Sequence, residues 1–186
     1  MNLVGEVKNV ILSNLKKPLD IKIGIEIENI IYNDKNQRIK VNRSNSFSAT
    51  DLLRNLKNMG NYSLEPGGQI EWASEPYTNL NDLEKSIRLS LEILKNILNE
   101  QNLKIMPFGL DPHHSPDQIE LINQSKYKIM DKNMTKSGSM GQWMMRCTSS
   151  IQVNFDASTE KEMEENAFIA DCLHPIAAYL FSNSPF

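Results

Sequence analysis

Apolar and polar positions change period several times along this chain, and each change predicts an element. Leu3, Val7, Val10, Ile11 and Leu15 recur at helical spacing, and Pro18 ends that run. The segment Ile21-Lys22-Ile23-Gly24-Ile25-Glu26-Ile27-Glu28 then alternates strictly, with Ile at every odd position and a polar residue or Gly at every even one. A period of two predicts a strand with one apolar and one wet face, and sets Glu26 and Glu28 side by side about 6–7 Å apart. Residues 32–50 are polar and turn-rich and predict a loop or frayed hairpin. A short helix is expected over Asp51–Asn58, with Thr50 as N-cap and Gly60 past its end. Tyr62–Trp72 reads as extended, interrupted by Pro66-Gly67-Gly68.

The strongest helical stripe is Leu83, Ile87, Leu91, Leu94 and Leu98, which predicts a helix from Asp82 to about Gln101 with Asn81 and Glu84 as its capping box. Residues 103–110 suit a buried strand that Pro107 confines to an edge or bulge, and 111–142 read as irregular. From Cys147 the period of two returns. Thr148, Ser150, Gln152, Asn154 and Asp156 take one face, and Cys147, Ser149, Ile151, Val153 and Phe155 the other. Thr159 and Glu162 cap a last helix through Ala178, kinked near Pro175. This order predicts an α+β fold: helices over the apolar face of a mostly antiparallel sheet, with an open face lined by carboxylates and amides. No repeat, low-complexity tract or linker divides residues 1–186, which read as one domain.

Composition narrows the function classes. Twenty Lys and Arg against 23 Asp and Glu give a formal charge of −3, which argues against a dedicated nucleic-acid binder. No apolar run approaches the ~20 residues of a membrane span, and the first ten residues are too polar for a signal-peptide core. Two cysteines, Cys147 and Cys172, make no disulfide framework and point to a reducing cytoplasm.

Three constellations carry candidate chemistry. Glu26 with Glu28 is either a solvated strand face or a divalent-cation site, because hard cations such as Mg²⁺ take carboxylate oxygens. Glu65-Pro66-Gly67-Gly68-Gln69-Ile70-Glu71 is either a plain turn or a close-approach turn flanked by acids. Thr148, Ser150, Gln152 and Asn154 either face water or orient a polar small molecule, with Arg146 nearby as a bidentate carboxylate binder. Ser137-Gly138-Ser139-Met140-Gly141 matches no phosphate-loop pattern, His113-His114 lacks the spaced partners of a zinc site, and neither Cys has a nucleophile's context. His174, before Pro175, reads as packed.

The segments Leu64–Glu71, Tyr127–Met130, Met144–Thr148 leading into Ile151–Asn154, then Pro175–Ala177 and Asn183-Ser184-Pro185-Phe186 together resemble the plant and proteobacterial type of glutamate–cysteine ligase. The strand Gly24–Glu28 is similar to the acidic strand that opens the catalytic domain there. The resemblance implies a glutamine-synthetase-like fold and ATP-dependent joining of the glutamate γ-carboxylate to the amino group of cysteine, through a γ-glutamyl phosphate. This is the first step of glutathione biosynthesis. It implies Mg²⁺ on Glu26, Glu28, Glu65 and Glu71, with ATP as co-substrate. Arg146, Gln152 and Asn154 would hold glutamate or the acyl phosphate, and Met140 and Thr148 would border the amino-acid pockets. Family members are considerably longer, which implies an incomplete, N-terminal part of one catalytic domain, with further strands and nucleotide-phosphate cations elsewhere. Departures at Ile25, Ile27, Gln142-Trp143, Ser149-Ser150 and around His113-His114 leave two alternatives open: another acceptor amine, or a non-catalytic protein that binds glutamate or metal.

Overall fold

The computed structural model describes residues 2–184. In chain order the elements are α1 (Leu3–Leu12), β1 (Ile23–Asn33), α2 (Ala49–Leu56), β2 (Asn61–Leu64), β3 (Ile70–Ala73), α3 (Leu80–Glu100), β4 (Leu103–Met106), α4 (Ser125–Ser137), α5 (Gly141–Cys147), β5 (Ile151–Phe155) and α6 (Glu160–Leu180). The expected α+β class holds. β1 is the hub of a five-stranded antiparallel sheet, pairing with β3 through Glu26–Asn29, with β5 through Ile23–Ile27 and with β4 through Ile30–Asn33; β2 pairs with β3.

β1 runs five residues beyond the predicted alternation because Ile30, Ile31 and Tyr32 are all buried. A strand covered on both faces loses its period of two. Odd-numbered Ile31 joins the main core with Leu52, Leu56, Leu64, Ile70, Leu94 and Leu98, which α2 and α3 press onto one face of the sheet. Even-numbered Ile30 and Tyr32 pack with Met106 on the other face. The face that carries Glu26 and Glu28 is therefore wet at one end and buried at the other.

Several local expectations shift. α2 begins at Ala49, and Ser48 rather than Thr50 caps it, in a reciprocal box with Asp51. α3 begins at Leu80, capped not by Asn81 but by Asn79, whose side chain accepts from the Asp82 N–H. The stretch read as irregular contains α4, a helix with no buried residue and so no apolar stripe to announce it. Residues 141–147 are helical, so the returning strand starts at Ile151. Thr159 caps α6 as expected, and Pro175 lies inside that helix. No residue of α6 is buried, so His174, expected to be packed, is exposed.

Candidate active site

The hairpin β2–β3 and the strands β1 and β5 assemble the acidic face. Glu28 stands directly opposite Glu71 in the β1–β3 register, and Glu26 opposite Gln152 in the β1–β5 register. Antiparallel partners share a face. Glu65 and Gln69 bracket a three-residue hairpin loop: the Glu65 N–H donates to the Gln69 carbonyl at 3.0 Å, and the Gly68 N–H donates to the Glu65 carbonyl at 2.8 Å. Gly68 holds φ +80, a backbone region that strains any residue with a Cβ. The sequence Pro-Gly-Gly is thus the chemistry this turn demands, and it keeps Glu65 in step with Glu71.

Each strand carboxylate is already engaged. Glu28 accepts from the Ser150 backbone N–H at 3.0 Å and from Gln152 Nε2 at 3.1 Å. Glu26 accepts from Asn154 Nδ2 at 2.9 Å, and Glu71 from the Ser63 hydroxyl at 2.9 Å. Burial raises the Glu28 carboxyl above its ordinary range, and Glu71 adds to that against the Ser150 and Gln152 hydrogen bonds. Glu65 is pushed up to about 7, first by burial and then by the negative charge of Glu71, Glu28 and Glu26. The four predicted glutamates therefore sense one another on one face. Among the described residues no three acidic, His or Cys side chains close to metal-holding distance. The all-oxygen donor set, whose charge Lys126 offsets only in part at Glu65, nevertheless matches a hard cation, which the carboxylates would meet by turning from their hydrogen-bond partners.

The Arg146 backbone packs against Gly67 of the hairpin loop, and its side chain points elsewhere. Its guanidinium donates to the carbonyls of Pro116 (2.9 Å) and Ile119 (3.1 Å) and pairs with Asp131 at 2.6 Å, while its Nε is buried without a partner. Thr148 donates its hydroxyl to the Met144 carbonyl at 2.7 Å, and Met140 is exposed at the start of α5. Burial pushes the Cys147 thiol up to about 11, so it stays protonated near neutral pH. Gln69 sits at the inner wall, donating to the Met145 and Thr148 carbonyls at 3.3 and 2.8 Å.

Sequence reasoning missed the buried pair Arg38–Asp111, 2.8 Å apart. Arg38 sits in a segment read as loop, and only the isolated Asp111-Pro112 in an irregular stretch could have hinted at its partner. Asn183, in the last resembling segment, bonds the Pro107 carbonyl at 2.7 Å; Pro185 and Phe186 of that segment lie outside the described residues.

An open antiparallel sheet, helices on one face and carboxylates on the other, defines an α+β protein of acidic sheet face. A bifunctional glutathione synthetase from Pasteurella multocida has a similar fold, with TM-score 0.50 and 15% identity over 91% of this chain and 20% of that one. Residues 22–186 match glutamate-cysteine ligase family 2 (GCS2), and the chain belongs to that family. It is 36% identical to the chloroplastic glutamate–cysteine ligase of Medicago truncatula and 35% identical to that of Arabidopsis thaliana, in each case over 124 residues. These alignments cover 67% of this chain and 24% of each relative, so the chain spans about a quarter of the length of the relatives it matches. Among the described residues no helix is long and apolar enough to cross a membrane.

Proposed function

We propose that this chain serves an ATP-dependent ligase that joins the γ-carboxylate of glutamate to the amino group of cysteine. The observation that carries the reading is the acidic sheet face of Glu26, Glu28, Glu65 and Glu71 in a member of this family. In the reaction a γ-carboxylate oxygen attacks the terminal phosphorus of ATP and ADP leaves. The cysteine amine then attacks the acyl carbon, phosphate leaves, and the amine loses a proton. Mg²⁺ held by these glutamates would neutralise phosphate charge, which is most of what phosphoryl transfer asks of a protein.

The chain's own residues set the face. Gln152 and Asn154 donate their side-chain amides to Glu28 and Glu26, and where those carboxylates held a cation instead, the same amides would bind the glutamate substrate. Arg146 would reach the acyl-phosphate position by exchanging its Asp131 partner for the substrate, and Thr148 and Met140 border the amino-acid pockets. The two unpaired thiols, Cys147 and Cys172, suit a reducing compartment, the cytoplasm.

The test is ADP release that requires glutamate, Mg²⁺ and cysteine together and is abolished by Glu26→Gln. Release that persists unchanged in the variant overturns the metal assignment. Release with another amine in place of cysteine moves the acceptor. The engagement of the Arg146 guanidinium by Asp131 and by the Pro116 and Ile119 carbonyls favours a second reading, a protein that binds glutamate or Mg²⁺ without turnover. Calorimetric binding with no ADP formed selects it.

A further inference from the structure

A buried polar knot lies at the far end of the acidic face and takes no part in the ligation chemistry above. Tyr32 shares the even-numbered face of β1 with Glu26 and Glu28, and its hydroxyl donates to Asp111 Oδ1 at 2.5 Å. The same oxygen accepts from the backbone N–H groups of His113 and His114, at 2.9 and 3.0 Å. Asp111 is 1% exposed, and its own N–H donates to the carbonyl of Cys147, the last residue of α5, at 2.7 Å. Arg38 supplies the counter-charge through Nη1, 2.8 Å from Asp111 Oδ2.

Stability alone is a poor reason for such a pair, since well-packed apolar residues often replace a buried ion pair at no loss. The second arm of the guanidinium shows what else the pair does. Arg38 Nη2 donates to the Gly67 carbonyl at 2.8 Å, inside the hairpin loop that carries Glu65. That loop is packed so closely that a Cβ on Gly67 would lie 2.6 Å from the Arg146 Cα and carbonyl oxygen. The Pro66 carbonyl accepts from the Ile122 N–H at 2.8 Å. Arg38 is the charged group that fixes the loop peptide, and Asp111 fixes the direction of Arg38.

We propose that Arg38, aimed by Asp111, is a positioning residue for the cation-binding face: it clamps the Gly67 peptide and thereby sets where Glu65 stands relative to Glu71 and Glu28. The inference rests on the reading of that face as a Mg²⁺ site. Its first readout is independent of metal.

Amide hydrogen exchange is measured on the chain and on Arg38→Lys, which keeps the charge and loses the two-armed fork. Exchange of the Glu65 and Gly68 amides accelerates at least about tenfold while the core amides of β1 and β3 keep their protection. Unchanged loop exchange, or acceleration spread evenly over the core, overturns the clamp. If Arg38→Lys fails to fold, the double variant Arg38→Met with Asp111→Asn removes both charges together and leaves neither one buried alone; the same loop-only acceleration is expected. Mg²⁺ titration by calorimetry then compares Arg38→Lys, Glu65→Gln and their combination. Affinity falls about tenfold in Arg38→Lys, as for outer-shell partners of metal ligands generally, and the combination binds no more weakly than Glu65→Gln alone. Additive losses overturn the route through Glu65. Loop acceleration together with an unaltered Mg²⁺ affinity in Glu65→Gln keeps the clamp and overturns the metal reading.

Discussion

Glu28 and Glu71 stand directly opposite each other across β1 and β3, two carboxylates at one register position. Like charges so placed destabilise a sheet by roughly 0.2–1 kcal/mol. The Ser63 hydroxyl on Glu71 and the Ser150 N–H on Glu28 offset part of that cost without removing either charge. Glu71→Gln keeps an acceptor for Ser63 and removes the repulsion. It is expected to stabilise the metal-free chain against urea by about 0.5 kcal/mol while weakening Mg²⁺ in calorimetry. Loss of stability in that variant would show that the repulsion is already screened.

Glu65 gives a pH dependence of defined sign. Its folded-state carboxyl, pushed up to about 7, lies above the ordinary 4.5. Between those values the folded chain binds more protons than the unfolded one, so stability falls as pH rises through that window. The contribution is fully present below about pH 4.5 and gone above about pH 7. In metal-free buffer, Glu65→Gln flattens this slope in thermal unfolding followed from pH 5 to 8. An unaltered slope assigns the proton to another group.

Asp111 behaves oppositely. Burial alone would raise its carboxyl, but the Tyr32 hydroxyl, the His113 N–H and Arg38 outweigh burial and hold it below the ordinary 3.8. Its stabilising contribution is present above that value and lost as pH falls below it. Arg38→Met, which strands the buried carboxylate, is expected to cost about 3–5 kcal/mol at neutral pH, read by urea denaturation. A cost below about 1 kcal/mol would mean that the Tyr32 and backbone donors suffice.

Gly67→Ala probes the close approach of the hairpin loop to α5. The new methyl would meet Arg146 backbone atoms, which cannot swing aside as a flexible side chain can. Overpacking of this kind costs about 1–3 kcal/mol. The expected signature is a lower urea midpoint together with shifted Glu65 and Gly68 amide resonances.

Two hydrophobic residues provide a contrast. Leu52 is 0% exposed in the main core, and Leu52→Ala should cost about 2–5 kcal/mol. Phe168 on α6 is 71% exposed, and Phe168→Ala should change stability by less than about 0.5 kcal/mol. Parallel thermal melts check both, and a large loss at Phe168 would mean that α6 folds back onto the domain in solution.

Much of this was legible in the alternation Ile21–Glu28 and in Glu65–Glu71, because a half-buried strand writes its two faces into the sequence. The same rule explains what was lost. Ile30-Ile31-Tyr32 is covered on both faces and carries no alternation, so the end of β1 went unread. α4 has no fully buried residue and left no stripe. Residue types flagged the acidic face, but Arg38 and Asp111 are 73 positions apart. Their meeting depends on where a loop crosses the sheet, which no local period encodes. Gln152 and Asn154 were expected around a substrate, and in this structure they rest on Glu28 and Glu26.

Among the described residues β5 pairs with β1 alone, while Ile151, Val153 and Phe155 are 67, 47 and 71% exposed. A strand edge of this kind is a template for any other extended chain, and neither Lys nor Pro interrupts Ile151–Phe155 to discourage it. Handled as an isolated polypeptide, these 186 residues should therefore be limited by concentration before they are limited by heat. Turbidity would rise with protein concentration at temperatures where the α2–α3 core is intact, and Val153→Lys should raise the soluble ceiling without moving the melting temperature.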